Sequence, residues 1–202
     1  MEKPTIHDIV KSLHKRNHTV FTQPFSVNLG GVRSADNDSG RFNDWLYAFY
    51  YNENDCLTYE IVPGTTDSGL YFRKNPANKN GTAIIQHGKQ YRGVYQLQDP
   101  DLDPSLRGHK GQKAFRQIKE MDYWRDDNKD ITLDFDGDTF SSIAYTNGHY
   151  MGTFGDNVGK WSAGCWGSTI NNMDLLYGIA QKQIDTGLGD IYSFTLLHEN
   201  NL

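Results

Sequence analysis

A histidine and a cysteine, His149 and Cys165, lie 16 positions apart in a glycine-rich stretch of the chain. An imidazole can act as the base that holds a cysteine as its nucleophilic thiolate. Gly164 allows the backbone before the cysteine to turn, so that the amides of Gly164 and Cys165 point at one oxyanion. A helix beginning soon after Cys165 would add positive potential at the sulfur. This pattern predicts a cysteine nucleophile for acyl transfer.

A structural role for the cysteine is the alternative that the residues leave open. Free cysteines are among the most buried residue types. Cys165 lies between Trp161 and Trp166, so it could equally be a small apolar residue of the core. A single cysteine with a single upstream histidine does not by itself identify an enzyme.

The residues around Cys165 resemble the active-site signature of the L,D-transpeptidase catalytic domain, the YkuD-like family. That signature reads His-Gly, a gap, and then Ser-His-Gly-Cys followed by Ile or Val and by Arg. The matching positions in this chain are His149, Ser162, Gly164 and Cys165. From about Asn28 onward the chain also resembles a divergent YkuD-like group of bacteria and their phages. The motifs that carry this second likeness are Asn43-Asp44, Thr65-Thr66-Asp67-Ser68-Gly69, Gly81-Thr82-Ala83, Tyr91-Arg92-Gly93, Tyr123-Trp124-Arg125-Asp126 and Trp161-Ser162-Ala163-Gly164-Cys165.

The resemblance implies an enzyme whose cysteine attacks an amide carbonyl of a peptidoglycan stem peptide. The acyl-enzyme thioester that forms is resolved by an amine or by water. On this basis Cys165 is the nucleophile and His149 is the general base that later protonates the leaving amine. Gly164 and Cys165 supply oxyanion amides, and Ser162 orients the loop or a substrate group. Bacterial peptidoglycan is the expected partner, and no cofactor is required.

The chain departs from the family signature at three positions. Ala163 stands where the family has histidine, and Trp166 and Gly167 stand where it has Ile or Val and then arginine. Loss of a positioned acceptor site tends to leave water as the nucleophile. Cleavage of the stem peptide or cross-link, as by an endolysin, is therefore slightly favoured over transpeptidation.

The substrate must then be held by other side chains. Arg33, Arg92 and Arg125 are the arginines that could replace the one missing from the signature. We expect substrate contacts from Arg92 and from the two tryptophans that flank the motif, Trp161 and Trp166.

A non-catalytic module is the rival hypothesis. The missing arginine and an acidic loop would suit a cell-wall-binding or virion structural protein that kept the fold and lost turnover. A cysteine hydrolase of another peptide or amide is a third possibility that the sequence leaves open.

An acidic segment beyond residue 125 could bind calcium. Calcium prefers several carboxylate and carbonyl oxygens from a tight turn. The candidate ligands are Asp126, Asn128, Asp130 and Asp134. The match to an EF-hand loop is partial, because Ile131 replaces its glycine and Gly137 replaces its final glutamate. An acidic surface turn between strands is the alternative.

Zinc is not indicated by the spacing of histidines and cysteines. His109 lies among Gly108, Lys110 and Gly111, which is typical of a solvated loop or a substrate contact. The third partner that would orient His149 has no sequence signature.

Composition excludes several classes of protein. The 202 residues are 37% hydrophobic and 22% charged, which is unlike a disordered chain, and no apolar run approaches the roughly 20 residues of a spanning helix. A net charge of −5 argues against nucleic-acid and anionic-membrane partners. Two cysteines exclude a disulfide framework. Residues 1–20 lack a signal-type apolar block. We therefore expect synthesis in the cytoplasm and action at the bacterial wall after lysis, virion delivery or non-Sec export.

The elements that must position these residues are mostly strands. Apolar residues at helical spacing predict helices over Pro4–Arg16 and Asn172–Ile184. The predicted strands are Phe25–Leu29, Trp45–Tyr51, Leu57–Val62, Thr82–Gln86, Tyr91–Leu97, Ile131–Phe135, Phe140–Tyr145 and Ile191–Leu197. We predict one β-rich α+β domain over 1–202, with a helix and lead-in at 1–24 and a YkuD-like mixed sheet or sandwich at 25–202.

Overall fold

The computed structural model describes residues 1–152 and 157–202. It is α+β and rich in strands, with 36% strand and 17% helix, as the sequence predicts. The helices are α1 (Ile6–Lys15), α2 (Leu70–Lys74) and α3 (Ile170–Asp185), and a 3-10 turn spans Glu199–Asn201. The strands are β1 (Asn28–Arg33), β2 (Asp44–Tyr51), β3 (Leu57–Gly64), β4 (Thr82–Ile85), β5 (Lys89–Gln98), β6 (Ala114–Gln117), β7 (Met121–Asp126), β8 (Thr139–Ser142), β9 (Gly148–Tyr150), β10 (Trp166–Ser168) and β11 (Ile191–His198).

Eight of these strands form one mixed sheet in the order β10-β9-β6-β5-β11-β1-β2-β3. The pairs β1–β11 and β9–β10 are parallel, and the other neighbours are antiparallel. The last strand of the chain, β11, lies in the middle of this sheet. It pairs with β5 of one half of the sheet and with β1 of the other half. A second sheet has the order β4-β7-β8.

Helix α1 covers one face of the large sheet. A capping box fixes its start: the Thr5 hydroxyl accepts from the Asp8 N–H, and the Asp8 carboxylate accepts from the Thr5 N–H. Ile9 and Leu13 lie one turn apart and point at the sheet. Their buried partners are Val32, Tyr47, Phe49, Ile61 and Leu197.

The other face of the large sheet is covered by α3 and by the small sheet. Leu176 and Ala180 of α3 and Tyr123 of β7 are buried in the same cluster. Trp166 of β10 lies near the centre of this cluster, with its ring stacked 4.9 Å from that of Phe194. The segment that follows Cys165 is thus anchored in the main core.

The two outer strands of the large sheet meet through Thr65 and Gly167. The Thr65 N–H donates to the Gly167 carbonyl at 2.8 Å, and the Gly167 N–H donates to the Thr65 carbonyl at 2.9 Å. This bridge joins the β3 edge to the β10 edge of the same sheet. It also places the segment after Thr65 behind the loop that precedes Cys165, where the Gly69 N–H donates to the Ser162 carbonyl at 2.9 Å.

Most predicted elements are confirmed with small shifts at their ends, and two strand predictions differ from the structure. The strand predicted at Ile131–Phe135 is wrong, because Thr132 makes only an isolated bridge with Asp38 and Leu133 turns into the interior. The strand predicted at Phe25–Leu29 is displaced, since β1 begins at Asn28 and runs to Arg33, whereas the helix predicted over Asn172–Ile184 is confirmed as α3.

The described helices include none that is both long and apolar enough to cross a membrane.

Candidate active site around Cys165 and His149

The parallel pair β9–β10 brings His149 and Cys165 together. Gly167 pairs with His149, so Cys165 precedes the strand that lies beside the histidine. A ring nitrogen of His149 and the Sγ atom of Cys165 lie within 4.8 Å of one another. No hydrogen bond joins the two side chains in the structure, and catalytic hydrogen bonds can form or tighten when a substrate binds. The structure thus places the expected nucleophile next to the expected base.

The ring of His149 is oriented by a backbone carbonyl. Its Nδ1 atom lies 2.7 Å from the carbonyl oxygen of Tyr150. A carbonyl oxygen only accepts hydrogen bonds, so Nδ1 carries the proton and Nε2 carries the lone pair. Nε2 is buried and has no hydrogen-bond partner in the described part of the chain. The Tyr150 carbonyl is therefore the orienting partner that had no sequence signature, and Nε2 is free to accept a proton.

His109 is a residue of this site that sequence reasoning did not assign. Its ring stacks on that of His149, with centroids 3.8 Å apart and planes 4° from parallel. Asn147 orients it: the Asn147 side-chain oxygen accepts from the Gln117 N–H at 2.9 Å, so its amide group donates to Nδ1 of His109 at 3.1 Å. His109 accordingly carries its proton on Nε2.

Metal binding is the second chemistry that this cluster of side chains could support. His109, His149 and Cys165 each offer one ligand atom, all within 4.8 Å of one another, and zinc and copper bind such ligands. Two parallel rings, however, direct their in-plane lone pairs along different lines rather than at one point. The only lone pair on the His109 ring already accepts from Asn147. This arrangement suits proton transfer better than metal ligation, and the absence of a cofactor stays a prediction.

The thiol and the imidazole are both neutral at physiological pH. Burial raises the pKa of Cys165 to about 11. Burial, and secondly the charge that His109 can carry, lowers the pKa of His149 to about 3. The thiol donates to the Tyr145 carbonyl at 3.5 Å and its residue packs against Met151. The expectation of a standing thiolate therefore differs from the structure, because desolvation disfavours both charged forms.

Ser162 holds the loop that presents the cysteine. Its hydroxyl lies 2.9 Å from the Asp67 carbonyl and 2.7 Å from the Cys165 carbonyl, and it accepts from the Gly164 N–H at 3.0 Å. Gly164 has φ +133°, a conformation that L side chains rarely adopt. The Gly164 N–H is thus already bonded, whereas the Cys165 N–H has no acceptor among the described residues. Of the two expected oxyanion donors, only the Cys165 amide is open in this structure.

The two flanking tryptophans have different environments. Trp166 is 0% exposed and packs in the core, so the expectation that it contacts substrate is wrong. The reason is that β10 turns its first side chain inward, over the small surface of Gly148. Trp161 is 46% exposed, and its ring centroid lies 5.8 Å from that of Tyr150 beside His149. Trp161 keeps its place as a candidate substrate contact.

One of the three candidate arginines lies beside the loop that holds Cys165. Arg92 lies over the Phe21 ring at 4.8 Å, and none of its described contacts is with the site. Arg33 is fully buried, with its guanidinium bonded inside the fold. Arg125 lines a cavity together with Ala163, two positions before the cysteine.

Donors of the protein itself bind carboxylates of the acidic segment. Arg73 forms ion pairs with Asp126 and, at 3.6 Å, with Asp130. The Asn128 amide donates to Asp130 at 3.1 Å and to Asp134 at 2.6 Å. These donors contact oxygens that a calcium ion would need, which favours the alternative of an acidic turn. Calcium binding itself stays an untested prediction.

No family model, no curated protein and no solved structure matches this chain. The chain is therefore assigned to no family, and its function is argued from the geometry of its own site.

Proposed function

We propose that the chain is a cysteine acyl-transfer enzyme of the L,D-transpeptidase type that acts on peptidoglycan stem peptides. The observation that carries this proposal is the placement of Cys165 Sγ within 4.8 Å of a ring nitrogen of His149. The Tyr150 carbonyl holds the imidazole in the tautomer that leaves the lone pair of Nε2 free. An imidazole with a free lone pair near a thiol is the arrangement that general-base activation of a nucleophile needs.

The first half-reaction transfers an acyl group to Cys165. As Sγ attacks the amide carbonyl carbon, the thiol proton moves to His149 Nε2, and the carbonyl oxygen takes the negative charge. The Cys165 N–H donates to that oxyanion. The C–N bond then breaks, and His149 gives the proton to the leaving amine. A thioester and a neutral amine result, and the imidazole is neutral again.

The second half-reaction releases the acyl group. Water or an amine loses a proton to His149 and attacks the thioester, and the departing sulfur takes that proton back. Water gives a carboxylic acid, and an amine gives a new amide. We favour water, because Gly167 stands where the family signature has an arginine.

The neutral pair is compatible with this sequence of steps. A standing thiolate would have to be desolvated beside Met151 and Val158, which contact the cysteine in a small apolar cluster. Proton transfer during attack avoids that cost, since charge develops only when the substrate carbonyl is present.

Muropeptide analysis tests the proposal directly. Purified peptidoglycan is incubated with the protein, with Cys165→Ala and with Cys56→Ala, and the products are identified by mass spectrometry. Cys56 is exposed and serves as the matched control. We expect new stem-peptide fragments that have gained one water with the protein and with Cys56→Ala, and none with Cys165→Ala. Identical profiles for the protein and Cys165→Ala would overturn the enzymatic proposal.

A non-catalytic cell-wall-binding or virion structural module is the second candidate function. The observation in its favour is the Cys165 residue itself, which is only 7% exposed and whose thiol already donates to the Tyr145 carbonyl. This candidate requires that the protein and Cys165→Ala sediment equally well with peptidoglycan. It also requires that neither of them changes the muropeptide profile.

A further inference from the structure

A cavity of about 390 Å³ opens beside the loop that carries Cys165. Ala163 of that loop and Ala144 of the segment that precedes Tyr145 both line it. The Tyr145 carbonyl accepts from the cysteine thiol, so the cavity lies against the same two segments that contact the sulfur. Its only described charged lining residue is Arg125.

Arg125 is held in place from two sides. Its guanidinium lies 3.8 Å from the centroid of the Phe140 ring, and its NH1 group donates to the Gly81 carbonyl at 3.1 Å. No acidic side chain forms an ion pair with it within residues 1–152 and 157–202. The stacking fixes the plane of the guanidinium, and the single hydrogen bond leaves most of its five N–H groups for a ligand.

The cross-strand register places Arg125 close to the nucleophile. Arg125 on β7 pairs with Ala83 on β4, so their side chains share one face of the small sheet. The Ala83 carbonyl would lie 3.0 Å from a Cβ atom placed on Gly164. Ala83 of β4 therefore neighbours both Arg125 on β7 and the loop residue that directly precedes Cys165.

We propose that this cavity binds a carboxylate of the peptide substrate through Arg125, and that this contact places a nearby amide over Cys165. The inference rests on the proposed function and adds to it a substrate class: peptides that carry a free carboxylate near the bond that is attacked. A terminal carboxylate and an acidic side chain share this chemistry.

A carboxylate fits the cavity better than a phosphate does. A planar guanidinium fork matches a carboxylate with two parallel hydrogen bonds. A second cavity of about 780 Å³ adjoins the first at Arg125 and is lined by Asp127 and Asp138. Their negative charges would repel a dianion more strongly than a monoanion, and they leave room for an uncharged or cationic remainder of the peptide.

Calorimetry with two small peptides tests the inference without turnover. The probes are diacetyl-L-lysyl-D-alanine with a free carboxylate and the same peptide as its C-terminal amide, titrated into Cys165→Ala at low salt. We expect the acid to bind about tenfold to hundredfold more tightly than the amide. Arg125→Gln should abolish this preference, and Arg125→Lys should retain part of it, because lysine keeps the charge and loses the planar fork.

Arg92→Gln is the matched control, because Arg92 also lies over an aromatic ring and also makes one NH1 hydrogen bond. We expect it to keep the preference for the acid. Ala163→Phe fills the cavity from the other side and should weaken binding of both peptides. Equal binding of acid and amide, a preference that survives Arg125→Gln, a preference lost in Arg92→Gln, or no binding of either peptide would each overturn the inference.

Failure of the proposed function would give a different result. Arg125-dependent binding of the acid together with an unchanged muropeptide profile would leave the carboxylate site in place and remove the enzyme. Fragments released from peptidoglycan together with equal binding of acid and amide would leave the enzyme in place and remove the carboxylate site.

Discussion

The imidazole of His109 lies face to face with the imidazole of His149, with centroids 3.8 Å apart. The two rings differ in tautomer, since His149 donates from Nδ1 to the Tyr150 carbonyl and His109 accepts at Nδ1 from Asn147. His109 shields one face of the base from water. Protonation of either ring would also raise the electrostatic cost of protonating the other.

Replacement of His109 should therefore raise the pKa of His149. In His109→Phe an aromatic ring still covers the base, and only the charge that His109 can carry is lost. In His109→Ala the face of His149 is open to water as well, so the pKa should rise further, because burial is the largest cause that lowers it. We expect the pKa of His149 to be lowest in the unmodified protein, higher in His109→Phe and highest in His109→Ala. In all three it should stay below the ordinary value of 6.5.

Imidazole NMR titration measures this order. The His149 signal is assigned by its loss in His149→Gln, and the exposed His7→Gln serves as a control for the titration of an unrelated ring. In the unmodified protein, the His149 signal should not titrate between pH 8 and about 4, given a pKa of about 3. Equal His149 pKa values in all three proteins would mean that the rings do not stack in solution.

Acid should destabilise the protein through the same imidazole. His149 has a pKa of about 3 in the fold and 6.5 as its ordinary value, so the unfolded chain binds a proton first as the pH falls. Its contribution is therefore fully present above pH 6.5 and is lost progressively between pH 6.5 and about 3. The slope is at most about 1.4 kcal/mol per pH unit for one such group.

Urea unfolding at a series of pH values isolates this contribution. We expect the free energy of unfolding of the protein to fall more steeply below pH 6.5 than that of His149→Gln, and the two slopes to agree above it. Parallel curves for the protein and His149→Gln would show that His149 is not buried as a neutral ring.

The thiol of Cys56 should react faster than that of Cys165. A standing thiolate at Cys165 would give the opposite order. Cys56 is exposed, whereas Cys165 is buried with its pKa raised to about 11. Iodoacetamide at neutral pH should therefore alkylate Cys56 well before Cys165, as measured by peptide mass spectrometry. In Cys56→Ser, the rate at Cys165 should still be rising with pH above 9, since the thiolate is the reactive form. Faster labelling of Cys165 at neutral pH would contradict the neutral pair and indicate a thiolate at rest.

The sequence predicts the secondary structure well where one pattern decides it. The helical spacing of Ile9 and Leu13 is a local signal, and α1 forms as predicted. The strand predicted at Ile131–Phe135 fails because the segment has apolar residues but, within the described ranges, only an isolated bridge to Asp38. The bridge between Thr65 and Gly167 joins the two edges of a sheet, and no local pattern contains that information.

Local sequence patterns likewise predict only part of the candidate site. His149 and Cys165 lie 16 positions apart with glycines around them, and this pattern together with the resemblance to a family signature predicts them as a pair. His109 lies 40 positions before His149 and reaches it because β6 pairs with β9, where Phe115 is opposite Gly148. Trp166 was expected at the substrate because it is adjacent to the cysteine, although neighbours along a strand face opposite sides.

Replacement of each of the two tryptophans by alanine should lower the free energy of unfolding by different amounts. Trp166→Ala removes a fully buried indole that stacks on Phe194, so we expect a loss of about 3–5 kcal/mol in the free energy of unfolding. Trp161 is 46% exposed, so Trp161→Ala should change that free energy by no more than about 1 kcal/mol. Guanidinium unfolding measures both. Equal losses would show that Trp166 is not in the core.

The loop glycine at 164 should tolerate no side chain. Gly164 has φ +133°, and an added Cβ would lie 3.0 Å from the Ala83 carbonyl, which belongs to a strand and cannot move away easily. Gly187 is the matched control, because it also has a positive φ, +79°, and nothing lies within 4 Å of its Cβ position. Gly187→Ala should cost about 1–2 kcal/mol from the backbone conformation alone. Gly164→Ala should cost clearly more in urea unfolding and should shift the NMR signals of the His149 ring, because the loop then displaces Cys165 beside it. Equal unfolding costs and an unchanged His149 signal would show that the loop has space that this structure does not give it.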